Sequence, residues 1–420
     1  MADSADIFAK CRDWTAAREA RAARTYPYYR PLTESGGGAE GVVDGRRVVI
    51  AASNDYLALA SDPRVVEAGG AALRRFGTSC SGSRLLNGTL ALHERLEGEL
   101  AAFLRQPAAL VTTTGFQANL ALACLLGRGD LLLLDQHSHA SLLDAARLGQ
   151  ARHLRFRHND RADLARLLGA SGTGTGSAAG TGAWVRGGRM AVTEGLFSMG
   201  GDLADLPGLA ATLAEAAPAR LVVDGAHDIG LLGEHGRGAA ELLGAEGSVD
   251  LITGTFSKCF GSVGGFLAGP EEVIDYLRHR GRSVLFSAAA PPAAVGAALA
   301  ALGIVRAEPE RRRRVLALSA CLHRLLRELG WDTGSSLMPV VPVHVGDDAA
   351  CLRLWQGLFD AGVFANAILP PAVPPGRAMI RLSVTAAHTE RHLAVIADAF
   401  ATQARTAVPR ARASLPALPR

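Results

Sequence analysis

The chain has 420 residues, of which 49% are hydrophobic and 20% charged, so it is long enough to bury a large core and a second, smaller domain. Its net charge of +4 is small for this length, and we expect no nucleic-acid partner and no membrane span. The six cysteines are widely spaced and form no C-x-x-C pair. That spacing favours a reduced, cytoplasmic protein over a disulfide framework, and we expect no metal site.

Short apolar runs alternate with amphipathic stretches through most of the chain. The predicted strands cover residues 108–115, 130–135, 189–195, 220–225 and 250–257, with helices such as 92–104 and 204–217 between them. This alternation predicts an α/β fold with a mainly parallel sheet and helices on both faces. Ligands of such sheets bind beyond the carboxyl ends of the strands. Those ends carry Gly115, His137, His139, Glu194, Ser198, Asp224, His227 and Lys258.

The pattern changes along the chain and predicts four parts. These are an N-terminal segment (1–55), a large domain (56–301), a small C-terminal α+β domain (302–404) and a disordered tail (405–420). Residues 171–182, rich in Gly, Ser and Thr, predict a flexible loop.

Two further stretches call for an interpretation. The alanine-rich stretch from Ser287 contains Pro291, Pro292 and Gly296, and it is typical of a buried helix rather than of a membrane span. The run Arg311–Arg314 follows two glutamates and predicts a solvated helix face.

Lys258 is unusual because this chain almost never uses lysine. Of its 44 basic residues, only Lys10 and Lys258 are lysines. A surface lysine on a loop is the alternative, but a position that needs only positive charge would carry arginine here. Unlike a guanidinium group, a primary amine can lose its proton near neutral pH and condense with an aldehyde. Lys258 therefore predicts the cofactor pyridoxal 5'-phosphate (PLP).

PLP makes further demands that can be checked in the sequence. Its ring nitrogen needs a carboxylate, and Asp224 ends the strand before that of Lys258, although an aspartate there is often a cap. Its phosphate needs backbone N–H groups and hydroxyls, which the strand, turn and helix of 112–126 and Thr255 supply. Its ring needs a flat partner on one face. His139 or the nearby His137 could fill that role.

With these residues the chain resembles the α-oxoamine synthases, a family of PLP-dependent enzymes of fold type I. The likeness runs from about Tyr26 to about Phe400. The motifs that carry it are NDYLALA (54–60), GTSCSGSRLLNGTLALHERLE (77–97), TTGFQANLA (113–121), DQHSHASLLDAARLG (135–149), TEGLFSMGGD (193–202), DGAHDIG (224–230), GTFSKCFGSVGGF (254–266), FSAAAPPA (286–293) and AILPPAVPPGRAMIRLSVTAAHT (367–389).

The resemblance implies a role for each candidate residue. The residues implied at the cofactor are Lys258 (Schiff base), Asp224 (ring nitrogen), His227 (phenolic oxygen), His139 (ring face), Gly115, Phe116 and Thr255 (phosphate), and Ser198 (close to the ring). Those implied at the substrate are Arg381, as a clamp for the amino-acid carboxylate, and Asn54 and Tyr56, near the substrate entrance. Lys258, His139, Asp224 and His227 are the implied catalytic group.

The implied reaction is a decarboxylative Claisen condensation. A small amino acid (Gly, Ala or Ser) reacts with an acyl thioester, carried by coenzyme A or an acyl-carrier protein, and gives an α-amino ketone. Members of the family are homodimers with the active site at the interface, so we expect the same here. A PLP-dependent aminotransferase of the same fold and a non-catalytic scaffold are the alternatives. A dinucleotide-binding reductase is disfavoured because GSVGGF (261–266) does not form G-x-G-x-x-G.

The chain also departs from the family's pattern. It reads DGAHD where D-E-A-H-S is common, so Gly225 removes a carboxylate and Asp228 is expected to place a new one by the cofactor. Alanines at 288–289 replace hydroxyl residues, and Leu369 replaces an arginine that many relatives carry. The GTFSK form of the lysine motif (254–258) and the opening 25–32 resemble the branch of the family that handles long acyl chains, and Leu369 and the small residues at 287–293 favour the same branch.

Overall fold

The computed structural model describes residues 6–170, 187–215 and 219–406. The predicted flexible loop at 171–182 lies outside the described residues, as does the predicted tail beyond residue 406.

The strands of the described residues form three sheets. The strands are β1 (Leu32–Gly36), β2 (Glu40–Val43), β3 (Arg46–Ile50), β4 (Ala108–Thr112), β5 (Leu131–Asp135), β6 (Arg152–Phe156), β7 (Arg189–Glu194), β8 (Ala219–Asp224), β9 (Leu251–Thr255), β10 (Gly265–Gly269), β11 (Val340–Gly346), β12 (Val363–Phe364), β13 (Asn366–Ile368) and β14 (Ala378–Ser383).

Helices precede, separate and follow these strands. They are α1 (Ala9–Asp13), α2 (Ala16–Ala22), α3 (Pro63–Phe76), α4 (Ala91–Leu104), α5 (Gly115–Ala121), α6 (Ala140–Leu148), α7 (Arg161–Ala170), α8 (Leu206–Glu215), α9 (Ala239–Leu242), α10 (Glu271–Arg280), α11 (Arg282–Leu285), α12 (Pro292–Ala307), α13 (Pro309–Glu328), α14 (Asp348–Asp360) and α15 (Glu390–Thr406), with short 3₁₀ turns at Leu122–Leu125 and Glu246–Ser248. None of the helices in the described part of the chain is both long and apolar enough to cross a membrane.

The central sheet has seven strands in the order β4-β10-β9-β8-β7-β5-β6. The neighbours from β9 to β6 run parallel, and only β10 is antiparallel to the strands beside it. Register places Glu194 beside Asp224, and Asp224 beside Thr253. Three strand ends therefore meet at one edge of the sheet, which confirms the predicted fold class.

Both faces of the central sheet are buried, because alternate residues of each strand enter different apolar clusters. Leu131, Leu133 and Val223 belong to one cluster. Leu132, Leu134 and Val222 belong to the other. Helices cover both sides, so the strands read as continuous apolar runs in the sequence rather than as alternating ones.

A separate apolar cluster forms the core of the C-terminal part. Strands β11, β14 and β13 form an antiparallel sheet against α14 and α15, and Trp355 and Phe400 are fully buried between these elements. Strands β1, β2, β3 and β12 form a further sheet in that order, in which β3 pairs with β12, and β2, β3 and β12 contribute to the same cluster. The sequence-based division at residues 55 and 301 stays a proposal.

The run Arg311–Arg314 differs from its prediction. Arg312 is buried and donates to the carbonyls of Val305 and Glu234, while Arg311 binds Asp62 and Arg314 donates to two carbonyls near residue 387. The predicted solvated face is therefore wrong for the buried Arg312, whereas Arg313 and Arg314 are exposed. Three of the four guanidinium groups tie α13 to other parts of the chain. Five donors on a long side chain can satisfy several buried carbonyls at once.

Candidate functional site

The carboxyl ends of β7, β8 and β9 and the start of α5 enclose a cavity of about 270 Å³. Its lining residues are Thr114, Gly115, Phe116, Asn119, His139, Ser141, Glu194, Asp224, Ala226, His227, Gly254, Thr255, Ser257, Lys258, Val263 and Gly264. Seven of the predicted cofactor residues, all except Ser198, meet in this one cavity.

Lys258 lies in the turn that follows β9. Phe256 and Phe260 pack edge to face beneath this turn, with ring centroids 5.5 Å apart, and are buried in the main core. Burial lowers the pKa of the Lys258 amine, an effect that the nearby Asp224 carboxylate opposes. A lowered pKa brings the amine closer to the neutral form, which is the form that attacks an aldehyde.

Asp224 ends β8, and other polar groups fix its orientation. One carboxylate oxygen accepts from the Asn119 side chain at 2.7 Å, and the other accepts from the Ala226 backbone N–H at 3.0 Å. The Thr253 hydroxyl donates to the Asn119 carbonyl oxygen at 2.7 Å and so orients the amide. Sequence reasoning missed Asn119. Its position one turn after Gly115, on the sheet side of α5, is the signal that could have found it.

The start of α5 forms a tight cradle beside Thr255. Thr114 caps the helix by accepting from the Gln117 N–H, and the amides of Gly115 and Phe116 precede the first intrahelical bond. A Cβ at Gly115 would lie 2.8 Å from Thr255 Cβ, and one at Gly265 would lie 2.5 Å from the Gly115 nitrogen. Glycine is therefore required at both positions, and amide and hydroxyl donors converge there on the space for one anion.

The structure distinguishes between the two histidines, His139 and His137, that were candidates for contact with the cofactor ring. His139 lines the cavity, caps α6 by accepting from the Ser141 N–H, and has its ring centroid 6.4 Å from that of Phe116. His137 does not line the cavity and stacks on His158 with a centroid distance of 4.0 Å. His139 is therefore the histidine placed to contact a ligand ring.

His227 lines the cavity, and a buried tyrosine, Tyr56, holds its ring in place. Its Nδ1 is 2.8 Å from the hydroxyl of Tyr56. Burial, with the nearby Lys258 charge, lowers the pKa of His227 well below its usual range, so the imidazole is neutral. Tyr56 is fully buried rather than open to solvent, and its side chain contacts both His227 and Arg381, so its place near the substrate stays a prediction.

Arg381, on β14, is buried beside the cavity. It donates to the Asn54 side-chain oxygen at 3.0 Å, and its Nε has no hydrogen-bond partner among the described residues. Its charge lies close enough to lower the pKa of both His227 and Lys258. A buried guanidinium group with a free donor can bind a carboxylate.

Ser198 does not line the cavity, but it contacts Glu194, which does. Its backbone N–H donates to the Glu194 carboxylate at 3.1 Å. Glu194 itself lines the cavity and is 2% exposed. Sequence reasoning placed Glu194 at a strand end but gave it no role, although a carboxylate at the end of the strand next to Asp224 was the available signal.

Asp228 does not line the cavity, so the expectation of a new carboxylate by the cofactor is wrong. Its Oδ2 accepts from the Ala239 N–H at 2.8 Å, at the start of α9. Burial raises the pKa of Asp228 to about 7. A Cβ at Gly225 would lie 2.4 Å from the Ile229 side chain, so a larger residue there would require that side chain to shift.

Comparison with known proteins agrees with this geometry. Residues 46–400 match the family described as aminotransferase class I and II. The chain is 41% identical to a serine palmitoyltransferase of Sphingobacterium spiritivorum over 369 residues, which cover 87% of this chain and 88% of that protein. It is 40% identical to an 8-amino-7-oxononanoate synthase of Symbiobacterium thermophilum over 380 residues, which cover 90% and 94%.

A solved structure gives the same result. A serine palmitoyltransferase variant from S. paucimobilis, solved with a bound adduct of PLP and myriocin, superimposes with a TM-score of 0.90 at 32% identity. The superposition covers 96% of this chain and 99% of that chain.

The parallel sheet and the cavity at its strand ends define a PLP-dependent enzyme of fold type I. The chain belongs to the aminotransferase class I and II family and, within it, to the α-oxoamine synthases. It is therefore an acyltransferase that condenses an amino acid with an acyl thioester and releases CO₂. The cavity fits the PLP cofactor, since it offers an amine, a buried carboxylate and an anion cradle that a single Cβ would obstruct.

Proposed function

We propose that this enzyme joins a small amino acid, serine in the first instance, to a long-chain acyl thioester. The observation that carries the proposal is the buried Arg381, whose free Nε lies beside the cavity that contains Lys258 and Asp224. A guanidinium group in that position suits a substrate with an α-carboxylate. The identity to serine palmitoyltransferases supports serine as the amino acid.

Each residue of the cavity has a separate role in the proposed reaction. PLP, when bound, accepts the electron pair that the amino-acid Cα releases. Lys258 would hold the cofactor covalently and, once its amine is free, would remove the Cα proton with its neutral Nζ. Asp224 keeps the ring nitrogen protonated, His139 covers one face of the ring and His227 supports the phenolic oxygen. The cradle of Gly115, Phe116 and Thr255 fixes the phosphate.

Carbon–carbon bond formation then depends on the position of the substrate Cα and on the thiol of the acyl donor, which is a good leaving group. The substrate Cα attacks the acyl carbon of the thioester, and the thiol leaves. The carboxylate of the resulting β-keto acid leaves as CO₂, and the product is an α-amino ketone. Arg381 holds the amino-acid carboxylate so that the Cα–H bond is presented to Lys258, which lowers the entropic part of the barrier.

We expect Arg381→Lys to weaken amino-acid binding strongly and to leave cofactor binding intact. Lysine keeps the charge but loses the two-pronged hydrogen bond to a carboxylate. The loss of one charge-assisted hydrogen bond, worth about 1.5–3 kcal/mol, raises the amino-acid KM by roughly ten- to a hundredfold. Steady-state kinetics against serine measure this, with the exposed Arg377→Lys as the control. An unchanged KM for serine would remove Arg381 from the substrate site.

The acyl donor is proposed to be long and apolar because Leu369 stands where many relatives have an arginine. Leu369 is half-buried and packs against the core of the C-terminal part. The chain therefore offers no cation at this position to a short, charged acyl group such as succinyl.

A chain-length series tests the acyl preference. Burial of four additional methylenes contributes about 3 kcal/mol, so kcat/KM for serine with palmitoyl or similar thioesters should exceed that of short donors by a factor of about one hundred. Leu369→Arg should reduce this preference, whereas Leu369→Met should retain it. Faster turnover with acetyl or succinyl thioesters would contradict the long-chain proposal.

A homodimer is proposed, as the sequence led us to expect, because apolar side chains surround the cavity on the surface. Phe116 and Val263 line the cavity and are 44% and 55% exposed. Phe286 is 75% exposed, and a hydrogen bond from the Gln117 side chain holds its loop close to the cavity. Leu86 is 78% exposed, and a hydrogen bond to the Gly82 carbonyl holds its loop in the same region. An apolar surface of this kind is typical of a subunit interface. The cytoplasmic location also stays a proposal.

The most direct functional assay combines purified enzyme with glycine, alanine or serine and a set of acyl thioesters, presented on coenzyme A and on an acyl-carrier protein. We expect release of CO₂ and free thiol in equal amounts, greatest with serine and a long chain. Amino-group transfer to a keto acid without CO₂ release would instead identify an aminotransferase.

A further inference from the structure

Glu194 is a buried carboxyl group of the cavity that the proposed roles leave unexplained. It is 2% exposed and ends β7 directly beside Asp224. One oxygen accepts from the Ser198 N–H, and the other, Oε1, has no partner of hydrogen-bond geometry among the described residues, with the backbone of His139 as the other polar group close to the carboxyl. A buried polar atom without a partner is costly, which indicates that a ligand supplies the missing partner.

The charge state of Glu194 follows from its neighbours. The titratable groups whose charge acts on Glu194 are Asp224 on β8 and Lys258 after β9, while the backbone of His139, at the start of α6, also contacts its carboxyl group. Burial, followed by the Asp224 charge, raises the pKa of Glu194 well above its usual range. Both oxygens of Asp224 accept from N–H donors, which suits an ionised carboxylate. Of two adjacent carboxyl groups, one retains its proton when the other is ionised.

The order of the strands decides which edge of the cofactor ring Glu194 meets. Asp224 lies on β8, between Thr255 at the end of β9 and Glu194 at the end of β7. In PLP, the phosphate arm and the phenolic oxygen lie on opposite sides of the line through the ring nitrogen. With the phosphate in the cradle on the Thr255 side, Glu194 would fall on the side that carries the 2-methyl group and the phenolic oxygen, of which only the oxygen can accept a hydrogen bond.

We propose that Glu194 acts as a neutral acid that donates a hydrogen bond from Oε1 to the phenolic oxygen of bound PLP. Its second oxygen meanwhile holds the backbone of Ser198. This inference rests on the proposed function, because it requires PLP in the cavity. It adds to the expected contact of His227 a second donor at the same oxygen. It also leaves Asp224 as the only ionised carboxylate in the cavity lining.

A comparison of Glu194→Gln with Glu194→Ala tests this proposal. Glutamine keeps a neutral donor and an acceptor, whereas alanine keeps neither. The pH titration of the visible absorption of the bound cofactor is the main measurement, made without substrate. Loss of a donor to the ionised phenolic oxygen should raise the midpoint in the alanine variant by about one pH unit. The glutamine variant should keep the wild-type midpoint, because it retains a neutral donor.

Infrared difference spectroscopy provides a second readout that does not depend on activity. At neutral pH, subtraction of the Glu194→Gln spectrum from the wild-type spectrum should leave the band of a protonated carboxylic acid. Glu99→Gln is the control, since the Glu99 side chain is 41% exposed and paired with Arg306, and its difference spectrum should lack that band. This measurement also applies if the alanine variant does not fold.

Three results would overturn the proposal: an equal shift of the midpoint in the glutamine and alanine variants, an unchanged midpoint in the alanine variant, or no protonated acid band. The first would mean that Glu194 acts through a negative charge. Failure of the proposed function looks different. In that case the wild-type enzyme fails to release CO₂ and thiol, although its titration and infrared spectra can still be compared with those of the variants.

Discussion

Replacement of Lys258 by arginine should remove turnover almost completely, by about three orders of magnitude or more, while the protein still folds. Arginine keeps the positive charge but has no amine that can condense with an aldehyde or accept the Cα proton. A positioned general base alone contributes about 10²–10⁴ in rate. The visible absorption of covalently bound cofactor should disappear in the same variant, as a spectrum of the dialysed protein would show.

The chain provides a matched control for this substitution. Lys10 is the only other lysine, and it is exposed on the short helix α1, far along the chain from the cavity. Lys10→Arg should keep both the visible absorption and the turnover. Appreciable turnover in Lys258→Arg would mean that another group acts as the base.

Replacement of Asp224 by asparagine should retain the fold and cofactor binding but lose most of the activity. A neutral amide cannot keep the ring nitrogen protonated, so the electron pair released at Cα loses its acceptor. The contact is a charge-assisted hydrogen bond worth about 1.5–3 kcal/mol, which corresponds to roughly ten- to a hundredfold in kcat. Single-turnover measurement of Cα proton release isolates the affected step.

Asp250→Asn is the corresponding control for the aspartate. Asp250 precedes β9 at the opposite edge of the same sheet, where it binds the Leu221 N–H and the Arg220 side chain. The same chemical change there should leave kcat unaltered. If Asp224→Asn turns over at a near-normal rate, Asp224 does not control the ring nitrogen.

Most of the large-domain architecture could be predicted from the sequence because its strands are continuous apolar runs with polar ends. The runs at 130–135 and 220–225 correspond to β5 and β8. The arginine run of α13 could not be predicted in the same way. Local charge pattern indicates a solvated face, whereas the burial of Arg312 depends on the carbonyls of Val305 and Glu234, the latter distant in sequence.

The site was predictable where chemistry demands a residue type. An amine, a carboxylate and an anion cradle are required by PLP, so Lys258, Asp224 and Gly115 could be found in the sequence, and the structure brings them into one cavity. Residues that orient other side chains of the site could not be identified from the sequence. The hydroxyl of Tyr56 meets His227 across 171 positions of the chain, and Asn119 meets Asp224 across 105. Only the packing of strands and helices determines such distant pairs.

The central claim is that Lys258 holds PLP covalently, and borohydride reduction followed by peptide mapping tests it most directly. Reduction fixes the cofactor to the amine that carries it, and the chain offers only two lysines to distinguish. We expect a single pyridoxyl label, on the peptide that contains Lys258. A label on Lys10, or no label on either peptide of a protein purified with its cofactor, would mean that Lys258 does not hold PLP.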